Sequence, residues 1–274
     1  MLPLASCPMD RVEPRSAVFF DLDKTVIAKS STLAFGKPFY RGGLINRRAV
    51  LKGAYAQFVF SLAGADAVQM ERMRAQITAM CTGWSVETVH EIVRETLHTI
   101  VDPLVYAEAV DLLEAHRAAG REVVIVSSSG AEMVEPIGEM LGVDRVVATR
   151  MVVAEGRYTG EIEFYAYGEG KAEAMRRVAA EQGYDLADCH AYSDSITDLP
   201  MLEAVGHPTA VNPDRALRRA ATERGWPVLV FSRPVALSAR TGQRTPVVTG
   251  AAVGVGAAVV GLAWYARRRA LRTG

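Results

Sequence analysis

Two short apolar runs constrain this chain most. Residues 17–22, Ala-Val-Phe-Phe-Asp-Leu, and 123–127, Val-Val-Ile-Val-Ser, are rich in β-branched and aromatic side chains and end in polar residues. Runs of this kind suit short strands buried on both faces of a parallel sheet. The second follows a stretch from Pro103 to Gly120, in which Val105, Ala109, Leu112 and Leu113 recur at helical spacing and Gly120 stands where a helix stops. The order then repeats. The pattern predicts a helix over 131–141, two strands within 146–165 about a turn at Gly156, a helix over 170–182 and a strand over 189–193. A short helix over 199–204, a strand over 209–211, a helix over 214–224 and a last strand over 228–231 complete it. Such alternation predicts an α/β fold with a doubly wound, Rossmann-like and mostly parallel sheet.

The first two strands are separated by residues 28–102, far more than an ordinary crossover needs. This stretch is rich in Ala, Met, Leu and Val, and its segments 68–80 and 86–99 carry apolar residues at helical intervals, so it reads as an inserted all-helical cap. The α/β core is then discontinuous, formed by residues 16–27 and 103–232. The opening of the cap combines Lys29, Lys37, Arg41, Arg47, Arg48 and Lys52 with Phe35, Phe39, Tyr40, Leu44 and Ile45. That mixture suits an anionic substrate or a lipid surface, and equally the solvated face of an ordinary helix.

After a linker over 233–244, residues 245–266 carry no charge, and a basic tail over 267–274 follows with Arg267, Arg268, Arg269 and Arg272. As a helix the charge-free run would reach about 33 Å, enough to cross a bilayer. It is a candidate transmembrane helix, with membrane association as the consequence. A buried or unstructured tail is the alternative, because Gly250, Gly254, Gly256 and Gly261 dilute its hydrophobicity. Lys plus Arg and Asp plus Glu are both 31, so no overall field attracts nucleic acid, and no nucleic-acid partner is expected. Cys7, Cys81 and Cys189 are odd in number and dispersed, which suits reduced thiols. With no apolar run in the first fifteen residues to serve as a signal peptide, the catalytic domain is expected in the cytoplasm.

The strongest chemical signal is Asp21-Leu22-Asp23-Lys24-Thr25 at the end of the first strand. Open α/β sheets bind ligands at the carboxyl ends of their strands. A carboxylate there can attack phosphorus, and a second can protonate the leaving oxygen and later activate water. A plain strand-end turn would also accommodate Asp-x-Asp. Three further positions follow strands or open helices in order. Ser127 could donate to a phosphate oxygen, with the amides of Ser128, Ser129 and Gly130 at the start of the next helix. Taken alone it would serve as an N-cap. Lys171 lies in a first helical turn, where it works against the helix dipole, so charge neutralisation is one role and a solvated surface lysine the other. Asp194 and Asp198 follow another strand. Hard oxygen donors with little His or Cys are what Mg²⁺ prefers, although a turn and a helix cap would explain these two singly.

The ordered set Asp21-x-Asp23-x-Thr25, Ser127, Lys171 and Asp194-x-x-x-Asp198 resembles the four motifs of the haloacid dehalogenase superfamily over residues 16–232. The insert and the run Asp198-Leu199-Pro200-Met201-Leu202 resemble its phosphoserine-phosphatase-like branch, subfamily IB. The resemblance implies a magnesium-dependent phosphomonoesterase acting on a small or lipid-linked phosphorylated metabolite. Asp21 would be the nucleophile and Asp23 the general acid and base. Thr25, Ser127, the Ser128 amide and Lys171 would hold the phosphate. Mg²⁺ would be bound by Asp21, Asp194 and the Asp23 carbonyl, with Asp198 acting behind these ligands. Lys24 stands where Gly or Ser is commoner. The glutamate that holds the amino group in phosphoserine phosphatases is replaced by Ser30, which argues against phosphoserine as substrate. A phosphotransferase using the same intermediate, and a catalytically idle binding protein, are the competing readings.

Overall fold

The computed structural model describes residues 16–45, 75 and 78–237, all within the first of the two units into which the chain divides, Met1–Leu237. The candidate membrane segment 245–266, the basic tail, the cap residues 46–74 and Cys7 lie outside the described residues, as does most of the linker. Among the described residues no helix is long and apolar enough to cross a membrane.

The strand signals assemble into one seven-stranded sheet. Its strands are β1 (Ala17–Phe20), β2 (Glu122–Gly130), β3 (Arg145–Ala154), β4 (Arg157–Phe164), β5 (His190–Ser193), β6 (His207–Val211) and β7 (Val228–Leu229), in the order β4-β3-β2-β1-β5-β6-β7. All neighbours are parallel except β3 and β4, which form the antiparallel hairpin expected about Gly156. The chain winds outward from β1 through β2 and β3, then returns to β1's other side with β5 and winds outward again. This reversal makes the carboxyl end of β1 the topological switch point, at which doubly wound sheets place their ligands.

β1 shows why the first apolar run is continuous. Val18 and Phe20 face one core with Phe35, Val89 and Val93 from the segment between β1 and β2, whereas Ala17 and Phe19 face the other with Met175, Val178 and Leu217. Alternate residues of one strand thus enter two hydrophobic layers. Each fully buried Phe or Val contributes about 1.5–3 kcal/mol relative to exposure.

The described part of the insert contains α1 (Ser31–Ala34), α2 (Gly36–Arg41) and α3 (Val86–Ile100). Ser85 caps α3 by accepting from the Thr88 amide at 3.3 Å, and Val89, Val93 and Leu97 bury one stripe at intervals of four. Phe35 and Phe39 are core residues, so the aromatic part of the basic stretch is structural, while Lys29, Lys37 and Arg41 are exposed. Three backbone hydrogen bonds tie residues 83–86 to the β3–β4 turn: Gly83 to Tyr158, Tyr158 to Trp84 and Val86 to Gly156.

The remaining helices are α4 (Ala107–Ala118), α5 (Ala131–Leu141), α6 (Glu169–Gln182), α7 (Leu199–Glu203) and α8 (Arg215–Arg224). Several boundaries differ from the sequence reading, and two of the differences have a visible cause or consequence. β2 continues to Gly130, so Ser128 and Ser129 belong to a strand rather than to the start of α5. β7 ends at Leu229, two residues early, because Asn212 takes over the pairing. Its side-chain oxygen accepts from the Phe231 amide at 2.9 Å, and its side-chain nitrogen donates to the Phe231 carbonyl at 3.0 Å.

Candidate active site

Asp21 follows β1 directly, and its amide donates to the Tyr192 carbonyl of β5 at 2.9 Å, which fixes its backbone between the two halves of the sheet. The chain then turns sharply. Lys24 adopts φ 62°, a left-handed conformation uncommon for a residue with a side chain. The turn brings Thr25 back so that its hydroxyl donates to Oδ2 of Asp21 at 3.2 Å. This is a backbone reason for Gly to be common at position 24.

Lys171 enters from the first turn of α6. Its ammonium donates to Oδ1 of Asp21 at 2.6 Å and to Oδ2 of Asp198 at 2.7 Å, and all three side chains are buried. The surface-lysine alternative is thereby excluded. Ser193, the last residue of β5, donates to the same Asp198 oxygen at 2.7 Å. Asp198 occupies the N-cap position of α7 without capping it, since its carboxylate is committed to Lys171 and Ser193.

Asp23 is held in a separate group. Its Oδ1 accepts from the Ser31 amide at 2.8 Å and its Oδ2 from the Ser129 hydroxyl at 3.0 Å. Ser127 is buried within the last part of β2, where its hydroxyl oxygen accepts from the Ser129 amide at 3.2 Å. Ser128 is exposed, and its carbonyl accepts from the Thr149 hydroxyl at 2.8 Å. Asp194 is partly buried beyond β5, and its carbonyl accepts from the Asp214 amide at 2.8 Å. Ser30, at the position of the missing cap glutamate, precedes α1 without capping it through its side chain.

The charges are unbalanced. Burial pushes the Asp21 carboxyl up to about 8; Lys171 pulls it down, while Asp198, Asp194 and Asp23 push it further up. Asp194 is pushed up to about 7, first by burial, with Lys24 opposing and Asp198 adding to the effect. Burial alone would lower Lys171, but Asp198 and Asp21 outweigh it and hold the ammonium well above the usual lysine range. The site therefore gathers four carboxyl groups, of which two, Asp21 and Asp198, are paired with the buried Lys171 ammonium.

Ser129, Ser31 and Ser193 are site residues that the sequence reading did not single out for side-chain contacts. Period-two alternation would have pointed to Ser129 once β2 is extended past Ser127, because Ser127 and Ser129 are buried and Ser128 is not.

A buried lysine clamped by two carboxylates at the switch point of a doubly wound sheet, with a third carboxyl beside it, defines an α/β enzyme of carboxylate chemistry. The family model described as haloacid dehalogenase-like hydrolase matches residues 18–203. A curated relative from Streptomyces azureus, the inhibition of morphological differentiation protein, is 65% identical over 262 residues, covering 93% of this chain and 95% of its own. A probable phosphatase from Mycobacterium tuberculosis is 61% identical over 257 residues, covering 93% of this chain and 90% of its own. Among solved structures, a Bordetella pertussis protein described as of unknown function is similar with a TM-score of 0.70 and 29% identity, covering 79% of this chain and 98% of that one. The chain belongs to the haloacid dehalogenase-like hydrolases. Within that family it is a phosphatase, a phosphoric monoester hydrolase.

Proposed function

We propose that the protein hydrolyses a small or lipid-linked phosphomonoester in two steps through a phosphoryl group carried on Asp21. The observation that carries this reading is the Lys171 ammonium lying 2.6 Å from Asp21 and 2.7 Å from Asp198, out of solvent. It keeps the nucleophile oriented and offsets charge where a phosphoryl group would arrive.

In the first step an Asp21 oxygen forms a bond to phosphorus as the ester P–O bond breaks, and Asp23 gives its proton to the leaving oxygen. In the second, Asp23 takes a proton from water, the resulting hydroxide oxygen bonds to phosphorus, and the Asp21–phosphorus bond breaks to release inorganic phosphate. Two of the three Lys171 N–H donors are taken by carboxylates, which leaves one for a phosphoryl oxygen. Thr25 holds Asp21, and Ser127, near the carboxyl end of the neighbouring strand, is assigned to the phosphate. The exposed Ser128 offers its amide from the same strand end.

The donor set fits Mg²⁺. Mg²⁺ characteristically takes one or two carboxylates and keeps waters and phosphate oxygens. Asp21, Asp194 and the Asp23 carbonyl would hold it, and the excess of carboxylates over Lys171 supports a need for added positive charge. When bound, the ion would polarise the phosphoryl oxygens and screen the approach of the nucleophile.

The test is phosphate release from p-nitrophenyl phosphate with Mg²⁺, with chelator, and with Asp21→Asn. The expected result is turnover that chelator removes, that Mg²⁺ restores and that Asp21→Asn lacks. Full activity in Asp21→Asn would reject the reading.

A further inference from the structure

The hydroxyls around Asp23 form a closed set. Ser129 Oγ lies 3.0 Å from Asp23 Oδ2, 2.9 Å from Ser31 Oγ and 3.2 Å from Thr32 Oγ1. A serine hydroxyl has one proton to give and two lone pairs. With its proton on Asp23, Ser129 accepts from both Ser31 and Thr32, so its capacity is filled and its rotor is fixed. The other Asp23 oxygen is fixed by the Ser31 amide at 2.8 Å. Both oxygens already accept a bond from one side, and their remaining lone pairs are the ones open to carry a transferable proton.

The partners come from different parts of the chain. Ser129 is buried on β2, in the sheet, whereas Ser31 and Thr32 open α1, the first helix of the insert. Asp23 is therefore gripped on one oxygen by the sheet and on the other by the insert, and Ser129 joins the two grips.

We infer that Ser129 is a positioning residue for Asp23, and that with Ser31 it sets the carboxyl for proton transfer when α1 is seated against β2. The inference rests on the proposed phosphatase mechanism, in which Asp23 protonates the leaving oxygen. It assigns the third serine of Ser127-Ser128-Ser129 to the proton donor rather than to the phosphate.

Leaving groups separate this role from a merely structural one. Phenoxide needs a proton as it departs, whereas p-nitrophenoxide leaves without much help. Single-turnover rates of the first step would be measured for phenyl phosphate and p-nitrophenyl phosphate in wild type, Ser129→Ala, Ser129→Thr and Ser31→Ala. Ser129→Ala should slow phenyl phosphate by about 10²-fold, the low end for one general acid. It should slow p-nitrophenyl phosphate by less than about threefold, with KM nearly unchanged. Ser129→Thr should recover most of the loss, and Ser31→Ala should show the same leaving-group bias more weakly. Equal losses on both esters, or no loss, would overturn the inference while leaving the hydrolase reading intact. If Ser129→Ala does not fold, Ser31→Ala carries the comparison, and an unbiased loss there overturns it. A wild-type protein that turns over neither ester would remove the mechanism and this inference with it.

Discussion

The Lys171 ammonium sits 2.6 Å from the Asp21 carboxylate, with the two side chains contributed from positions 150 residues apart and both sealed from solvent. A buried ion pair of this kind is costly to break on one side, because the remaining charge is left without compensation. Lys171→Met keeps the stem's volume but strands Asp21 and Asp198. It should cost about 3–5 kcal/mol in stability, read as a lower urea midpoint. Its turnover should fall by about 10²–10³-fold or more, as for loss of one preorganised donor. Lys171→Arg should not rescue, since a planar guanidinium cannot occupy the same enclosed point.

Gly170 prepares that lysine's entry. A Cβ at this position would collide with the Tyr165 backbone carbonyl, which cannot move aside as a side-chain tip could. Gly to Ala inside a helix ordinarily stabilises by roughly 0.5–1 kcal/mol. Here the sign should reverse. Gly170→Ala is expected to lower the melting temperature and to reduce turnover, because the first turn of α6 must shift and carry Lys171 with it. A higher melting temperature with normal turnover would contradict the packing described.

On α4, His116 is buried against β5, with Nε2 2.9 Å from the Tyr192 hydroxyl and Nδ1 3.4 Å from Arg121 Nη1. The arginine can only donate, so Nδ1 accepts and the ring is neutral with its proton on Nε2. Burial, then His190 and Arg121, push His116 down to about 4. His190 is likewise lowered to about 4, first by burial and then by Arg121 and His207. Below the ordinary histidine value the unfolded chain binds protons that the folded one refuses, so stability should be full above about pH 6.5 and decline toward pH 4. For His116 alone the full window corresponds to at most about 3 kcal/mol. Melting curves from pH 7 to pH 4.5 should show the decline, with a shallower slope in His116→Gln. Equal slopes would show that this histidine is not responsible.

Metal loading offers a reading independent of turnover. A ligand that binds only the folded state at a hundred times its dissociation constant adds about 2.7 kcal/mol. Saturating Mg²⁺ should therefore raise the melting temperature, and Asp194→Asn should weaken that rise. An equal rise in both proteins would remove Asp194 from the metal set.

How much of this was legible in the sequence depends on the residue. The run at 17–20 announced a strand because each residue must enter one of two apolar layers, and the apolar stripe of α3 was local enough to read directly, although its Ser85 cap was not picked out. The place of β1 at the centre of the sheet was not local, since it depends on the chain returning to β1's other side after the β3–β4 hairpin. Ser129 was read only for its amide, because three serines in a row are chemically alike. Only the continuation of β2 past Ser127 separates the two that face inward from the one that does not. Phe35 and Phe39 looked like one side of an exposed basic face, and only tertiary packing assigns them to the core. The run 245–266 lies beyond the described residues, and the reading of it as a span rests on its sequence alone.

The central claim is that phosphorus is carried by Asp21, and trapping the phosphorylated enzyme tests it most directly. Wild-type protein quenched in acid during turnover of ³²P-labelled phenyl phosphate should carry hydroxylamine-sensitive label on the peptide containing Asp21, and Asp21→Asn should carry none. Phosphate release by wild type with no labelled protein at any quench time, or label undiminished in Asp21→Asn, would contradict the account.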